Sequence, residues 1–208
     1  MSLNYDRTPT VVLFSPFVHI AGAKAMGIGL LSILGAGLIG ALGRTHFDGV
    51  LDVHVGARAP VWFFWSEGVV DWLCVSVMLL IAGTVVSTTA FRVIDVLGTQ
   101  ALARWPTVFI SVVSLPEGFR RFSRHLVHQL SNPAPVFTLN TPDAAVFVVV
   151  VIAMILLTIW LIILMYQAYR VACNVTGGKA IGTFIAALLL AEVLSKVAIY
   201  WMARLAWP

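Results

Sequence analysis

Four residues of one short stretch carry the densest chemistry in this 208-residue chain. His46, Asp48, Asp52 and His54 lie symmetrically about Val50 in RTHFDGVLDVHVG. Imidazole and carboxylate together suit zinc, manganese or iron, so a divalent metal is the cofactor these residues would take. In an extended strand all four share one face, with Phe47, Leu51, Val53 and Val55 on the other. On a straight strand, however, His46 and His54 would stand about 26 Å apart. A single four-ligand site therefore needs the chain to fold back at Asp48-Gly49, a sequence suited to a hairpin turn. Otherwise each His–Asp pair needs help from elsewhere, for example from Glu67 or Asp71. The plainer reading is an amphipathic loop on a membrane surface, its polar face bonded to water and headgroups.

Glu192 and Lys196 come next, one helical turn apart inside an otherwise apolar run. An unpaired charge there costs several kcal/mol, and Glu before Lys at i,i+4 is the favourable order, so an internal ion pair is the plain expectation. The sharper one is a polar pathway for a proton, an ion or a substrate, with Arg104 and Asp71 as further members. Arg120, Arg121 and Arg124 form the one basic cluster, in EGFRRFSRHLVHQL. They share a predicted helix with Phe119, Phe122, Leu126, Val127 and Leu130 on its other side. That is the pattern of a basic helix lying among lipid headgroups. His125 and His128 share it, and the neighbouring arginines deter a metal there.

Other motifs carry less. Gly177-Gly178-Lys179 lacks the first glycine, the following hydroxyl and the preceding strand of a phosphate loop. Cys74 and Cys173 form no CxxC and read as small apolar packing residues. No hydrolase triad, nucleotide fingerprint or haem motif is present, so no catalytic residue is assigned and a non-enzymatic role is expected.

The elements that must position these residues are membrane helices. Sixty per cent of the chain is hydrophobic and only 11% charged, whereas soluble domains carry about 25% charged residues. Ala144–Met165 is uncharged and, as a helix, about 33 Å long, enough to cross a hydrocarbon core of ~30 Å. Thr141-Pro142-Asp143 is its start signal, and Tyr166, Tyr169 and Arg170 anchor its end. The fold class is thus all-α, a transmembrane helical bundle forming a single domain. Its expected spans are 25–43, 69–91, 96–115, 144–169 and 180–203, with an interfacial helix over 116–130. Arg104 and Pro106 interrupt the third, so four spans are the alternative. In the second, Thr84, Ser87, Thr88 and Thr89 are expected to form a polar stripe facing other helices. Glu67 and Asp71 should stack as like charges at its mouth. Ser114 and Glu117 match a capping box for the interfacial helix. Ser131–Thr141 should be an extended link, and Asn174–Lys179 a tight turn. Small residues in the first span (Ala36 with Gly40, Gly37 with Ala41) predict close packing on a neighbour. No cleaved signal peptide is expected in Met1–Lys24. Five spans put equal numbers of Lys and Arg on each side, so charge does not orient the bundle. Four would put both termini in the cytoplasm.

The last third, YQAYRVACNVTGGKAIGTFIAALLLAEVLSKVAIYW, resembles the C-terminal span pair of the Ypt-interacting-protein (Yip) domain family. THFDGVLDVHVG and DVLGTQALARWP are similar to a bacterial branch of that family. The resemblance implies five spans, a cytoplasmic N-terminus, a C-terminus across the membrane and a bacterial inner (plasma) membrane. Eukaryotic members are associated with Rab/Ypt GTPases and secretory traffic, and no catalytic residues come with the family. The expected role is a non-catalytic scaffold or bilayer-organising component. A small transporter or channel subunit, or a metal-binding membrane protein, is the alternative. Its partners would be the lipid bilayer, anionic lipids, and a second copy or another membrane protein. The net charge of +4 is too scattered for nucleic acid.

Overall fold

The structure, a computed structural model, describes residue 13 and residues 15–131 and 141–206. Five of its helical segments are long and apolar enough to cross a membrane. This is a multi-pass, all-α membrane protein. The first span, α1 (Gly22–Gly43), leads through a short antiparallel pair, β1 (Thr45–His46) and β2 (His54–Val55), into α2 (Val61–Val86). The third span is broken into α3 (Val93–Ala103) and α4 (Pro106–Val113). After it come α5 (Glu117–Ser131), α6 (Thr141–Cys173) and α7 (Gly177–Ala206). The turn between the last two helices falls at Asn174 and Gly177, both with positive φ, as expected from the sequence.

The broken third span is the hub. Two-thirds of its central window is buried inside the protein, against a third or less for every other span. That burial explains how a segment with Thr99, Gln100, Arg104, Thr107 and Ser111 can lie in a membrane: its polar groups meet protein, not lipid. Arg104 and Trp105 form the break, and Pro106 opens α4 where a missing N–H costs nothing. Around this hub, α1 packs on α3 and α4, α6 packs on the same two helices and on α5, and α2 pairs with α7. Val75, Leu79, Val96, Leu102, Leu164 and Met165 fill the core between them.

Several expectations are corrected. The second span starts at Val61, not 69: Trp62–Trp65 and both acids belong to the helix because Glu67 and Asp71 face the interior. They do not stack as like charges, since each takes a different cationic partner. The helix ends at Val86, so Ser87–Thr89 lie beyond it, and Thr84 is exposed. No polar stripe faces the bundle there. Ser114 does not cap α5: its hydroxyl donates to the Ser111 carbonyl and lies 2.6 Å from Thr45 Oγ1. The extended link expected over 131–141 falls almost wholly outside the described residues.

Candidate functional site

The stretch singled out first folds back on itself. Thr45 pairs with Val55 and His46 with His54, so the reversal is centred on Val50. The two imidazoles stack with centroids 5.8 Å apart, replacing the separation of a straight strand. An apolar tip holds the hairpin down: Val50, 1% exposed, joins the central core, and Phe47 is buried against α4, α5 and α6. The polar flank is held by α7. Leu51 N–H donates to Glu192 Oε2 at 2.8 Å, and the Lys196 ammonium bonds Asp52 while lying 3.5 Å from Glu192 Oε1. Glu192 and Lys196 therefore form the expected i,i+4 pair, and the same pair fastens the loop to the last span.

Asp48, Asp52 and His54 bring one ligand atom each within 4.8 Å of one another. His54 Nδ1 lies 3.3 Å from Asp48 Oδ1 and 3.9 Å from Asp52 Oδ1. A divalent metal would find a mixed carboxylate and imidazole set there, with Lys196 already supplying one positive charge. His46 does not join it. Its Nδ1 is 2.8 Å from Glu67 Oε1 and its Nε2 is 2.9 Å from the Ala57 carbonyl, while Phe64 stacks on the ring at 4.5 Å. Of the four candidate ligands, three converge and the fourth is committed to the interior. Burial opposes the charge on His46, but the hydrogen bond and charge of Glu67 and the Ala57 carbonyl outweigh it, raising the pKa. The Asp48 contact likewise raises His54 against its burial, and lowers Asp48 in return. These groups open on a cleft of about 630 Å³ that also holds Arg58 and Tyr200.

Asp71 and Arg104 meet deeper in the bundle, 3.2 Å apart, with 0% and 1% of their side chains exposed. Asp71 Oδ1 and Arg104 Nε and Nη1 make no hydrogen bond among the described residues. The four intramembrane residues thus split: Glu192 and Lys196 serve the hairpin, Asp71 and Arg104 pair inside.

Comparison with family models, with characterised proteins and with solved structures finds no match for this chain.

The basic helix α5 is fixed to the bundle by a contact the sequence did not announce. Arg121 grips Asp143, at the start of α6, through two bonds of 2.9 Å, and this partner raises the Arg121 pKa. Phe119 is buried, and it and Phe122 pack on Phe147 with centroids 5.6 and 4.9 Å away. Arg120 Nη1 donates to the Leu42 carbonyl at 3.2 Å, and Arg124 Nε to the Arg120 carbonyl at 3.3 Å. Of the three arginines expected to meet headgroups, Arg121 is thus a structural anchor. Arg120 and Arg124 form no ion pair with a carboxylate among the described residues. His125 and His128 lie on the exposed side of the same helix.

Proposed function

We propose that this protein is a non-catalytic, bilayer-organising membrane component of Yip type that gathers anionic lipid along one face. The observation that carries the reading is α5, an amphipathic helix clamped to α6 by Arg121–Asp143 with Arg120 and Arg124 left for the headgroup layer. A bacterial inner membrane is the setting that the resemblance and the anionic-lipid preference suggest. Gly27 and Gly35 of α1 have open space beside them, which suits contact with a second copy or another membrane protein.

Spin-labelled lipids in reconstituted bilayers test this. Phosphatidylglycerol should be held at the protein boundary in preference to phosphatidylcholine. Each of Arg120→Gln and Arg124→Gln should cost roughly fivefold of that preference, as ~1 kcal/mol per basic residue implies. Equal retention of both lipids would overturn the reading.

The buried Asp71–Arg104 pair, with guanidinium nitrogens that make no hydrogen bond among the described residues, favours a second reading, a small transporter or channel subunit with an intramembrane polar pathway. Ion or proton flux in proteoliposomes, abolished by Glu192→Gln and by Arg104→Met, would support it. No flux under any imposed gradient would remove it.

A further inference from the structure

Two clefts share the α5 helix as a wall. The first, about 510 Å³, is lined by Arg44 from the end of α1, Arg58 from the segment after β2, and Arg120 and Arg124 from α5. Glu117 is the one acid among its lining residues, so the formal charge there is four minus one, or +3. Arg44 and Arg58 form no ion pair among the described residues. Burial of the group and repulsion from Arg58, Arg124 and Arg120 lower the Arg44 pKa. Three separate elements therefore bring guanidinium groups together with too little negative charge to balance them. Phosphate oxygens match that arrangement, because arginine presents paired donors to them.

The second cleft, about 570 Å³, lies between the hairpin, α5 and α6. Leu126 and Val127 of α5 and Phe147, Met154, Ile155 and Ile159 of α6 make it largely apolar. Val55 lines both clefts, so the hairpin borders each of them. Each has the size of a small-molecule site. A ligand that fills both has an anionic head and an aliphatic chain, and it enters from the bilayer.

We propose that the two clefts form one site for an anionic glycerophospholipid, its phosphate among Arg44, Arg58, Arg120 and Arg124 and one acyl chain between α5, α6 and the hairpin. The inference rests on α5 being interfacial, but it demands a single retained lipid rather than a general boundary preference. The clefts make the head and the chain separately necessary. Neither alone accounts for retention.

Native mass spectrometry of the full chain in mild detergent tests it, with phosphatidylglycerol, phosphatidylcholine and inorganic phosphate as probes. One equivalent of phosphatidylglycerol should stay bound. The double variant Arg58→Gln/Arg124→Gln should weaken that adduct roughly tenfold or more. Ile155→Trp fills the apolar cleft from a position 54% exposed, so folding is spared, and it should displace the lipid with every arginine intact. Val127→Trp, at 62% exposure, is the second cleft-filling variant and should do the same. Equal adducts with phosphatidylcholine, competition by inorganic phosphate at equal concentration, or retention in both tryptophan variants would overturn the proposal. A boundary preference without a stoichiometric adduct would overturn it too, and would leave the bilayer-organising reading standing.

Discussion

His46 Nδ1 lies 2.8 Å from Glu67 Oε1, and the same ring gives its other nitrogen to the Ala57 carbonyl at 2.9 Å. A protonated ring can donate from both nitrogens at once, and the raised His46 pKa follows from these two contacts against the opposing effect of burial. Glu67 Oε2 also accepts from Phe47 N–H at 3.3 Å, which ties the hairpin backbone to α2 through the same carboxylate. One buried carboxylate thus joins a loop to a span.

Stability should therefore depend on pH. His46 and His54 both have raised pKa values, so the stability they add is fully present below about 6.5 and is lost as pH rises through their folded values. Asp48 is lowered, so its contribution is present above about 3.8 and is lost as pH falls through its folded value. The hairpin should hold best between those limits. Thermal unfolding followed by tryptophan fluorescence should show Tm falling on the alkaline side, and His46→Gln should flatten that limb. A level wild-type profile from pH 6 to 9 would remove the imidazolium.

The buried pair Asp71–Arg104 predicts strongly non-additive mutations. Arg104→Met leaves a carboxylate uncompensated in the core, at a cost of about 3–5 kcal/mol. Asp71→Leu strands the guanidinium at similar cost. The double variant removes both charges and should recover most of the loss. Unfolding of all three proteins in detergent closes the cycle. A double variant as unstable as the two losses added together would show that the residues act separately.

Much of this was legible in the sequence, and the limits have physical causes. The span from Ala144 could be read outright because nothing in it competes with helix in lipid. The break at Arg104 and Pro106 was visible for the opposite reason, since a cation and a missing N–H stand together. A fold-back of this stretch was legible, but the turn expected at Asp48-Gly49 is centred instead on Val50, whose side chain is drawn into the core. Spacing could not show that His46 turns away to Glu67, because a contact across 21 residues leaves no period. The second span was read eight residues short at its start because Glu67 and Asp71 look like surface charges until their partners are known. Arg44 and Arg58 are single cations in a loop, and only the fold brings them to α5.

Helix approach gives a paired prediction. A Cβ on Gly29 would lie 2.2 Å from the Ala101 carbonyl carbon, so α1 and α3 touch backbone to backbone there. Gly29→Ala must push the helices apart and should destabilise by about 1–3 kcal/mol. Gly27→Ala meets nothing within 4 Å and should be neutral or stabilising by about 0.5–1 kcal/mol. Chemical unfolding of the two variants side by side checks it. Equal behaviour would remove the close contact.

Arg44 predicts a variant that gains in fold and loses in binding. It ends α1 at φ 57° and ψ 35°, the left-handed conformation that usually belongs to glycine at a helix C-terminus. A side chain there costs ~1–2 kcal/mol, partly offset in Arg44→Gly by the greater freedom of glycine in the unfolded chain. The backbone bonds survive the change: Arg44 N–H still reaches Gly40 O, and Gly56 N–H still donates to the residue 44 carbonyl at 2.9 Å. Arg44→Gly should therefore unfold no earlier than wild type while losing a guanidinium from the cleft, with weaker retention of phosphatidylglycerol. Arg44→Lys keeps the charge and the strain, so it should leave stability near wild type and retain part of the binding. If Arg44→Gly binds as wild type does, the residue serves only to end the helix. If it unfolds much earlier, its side chain carries packing that outweighs the strain.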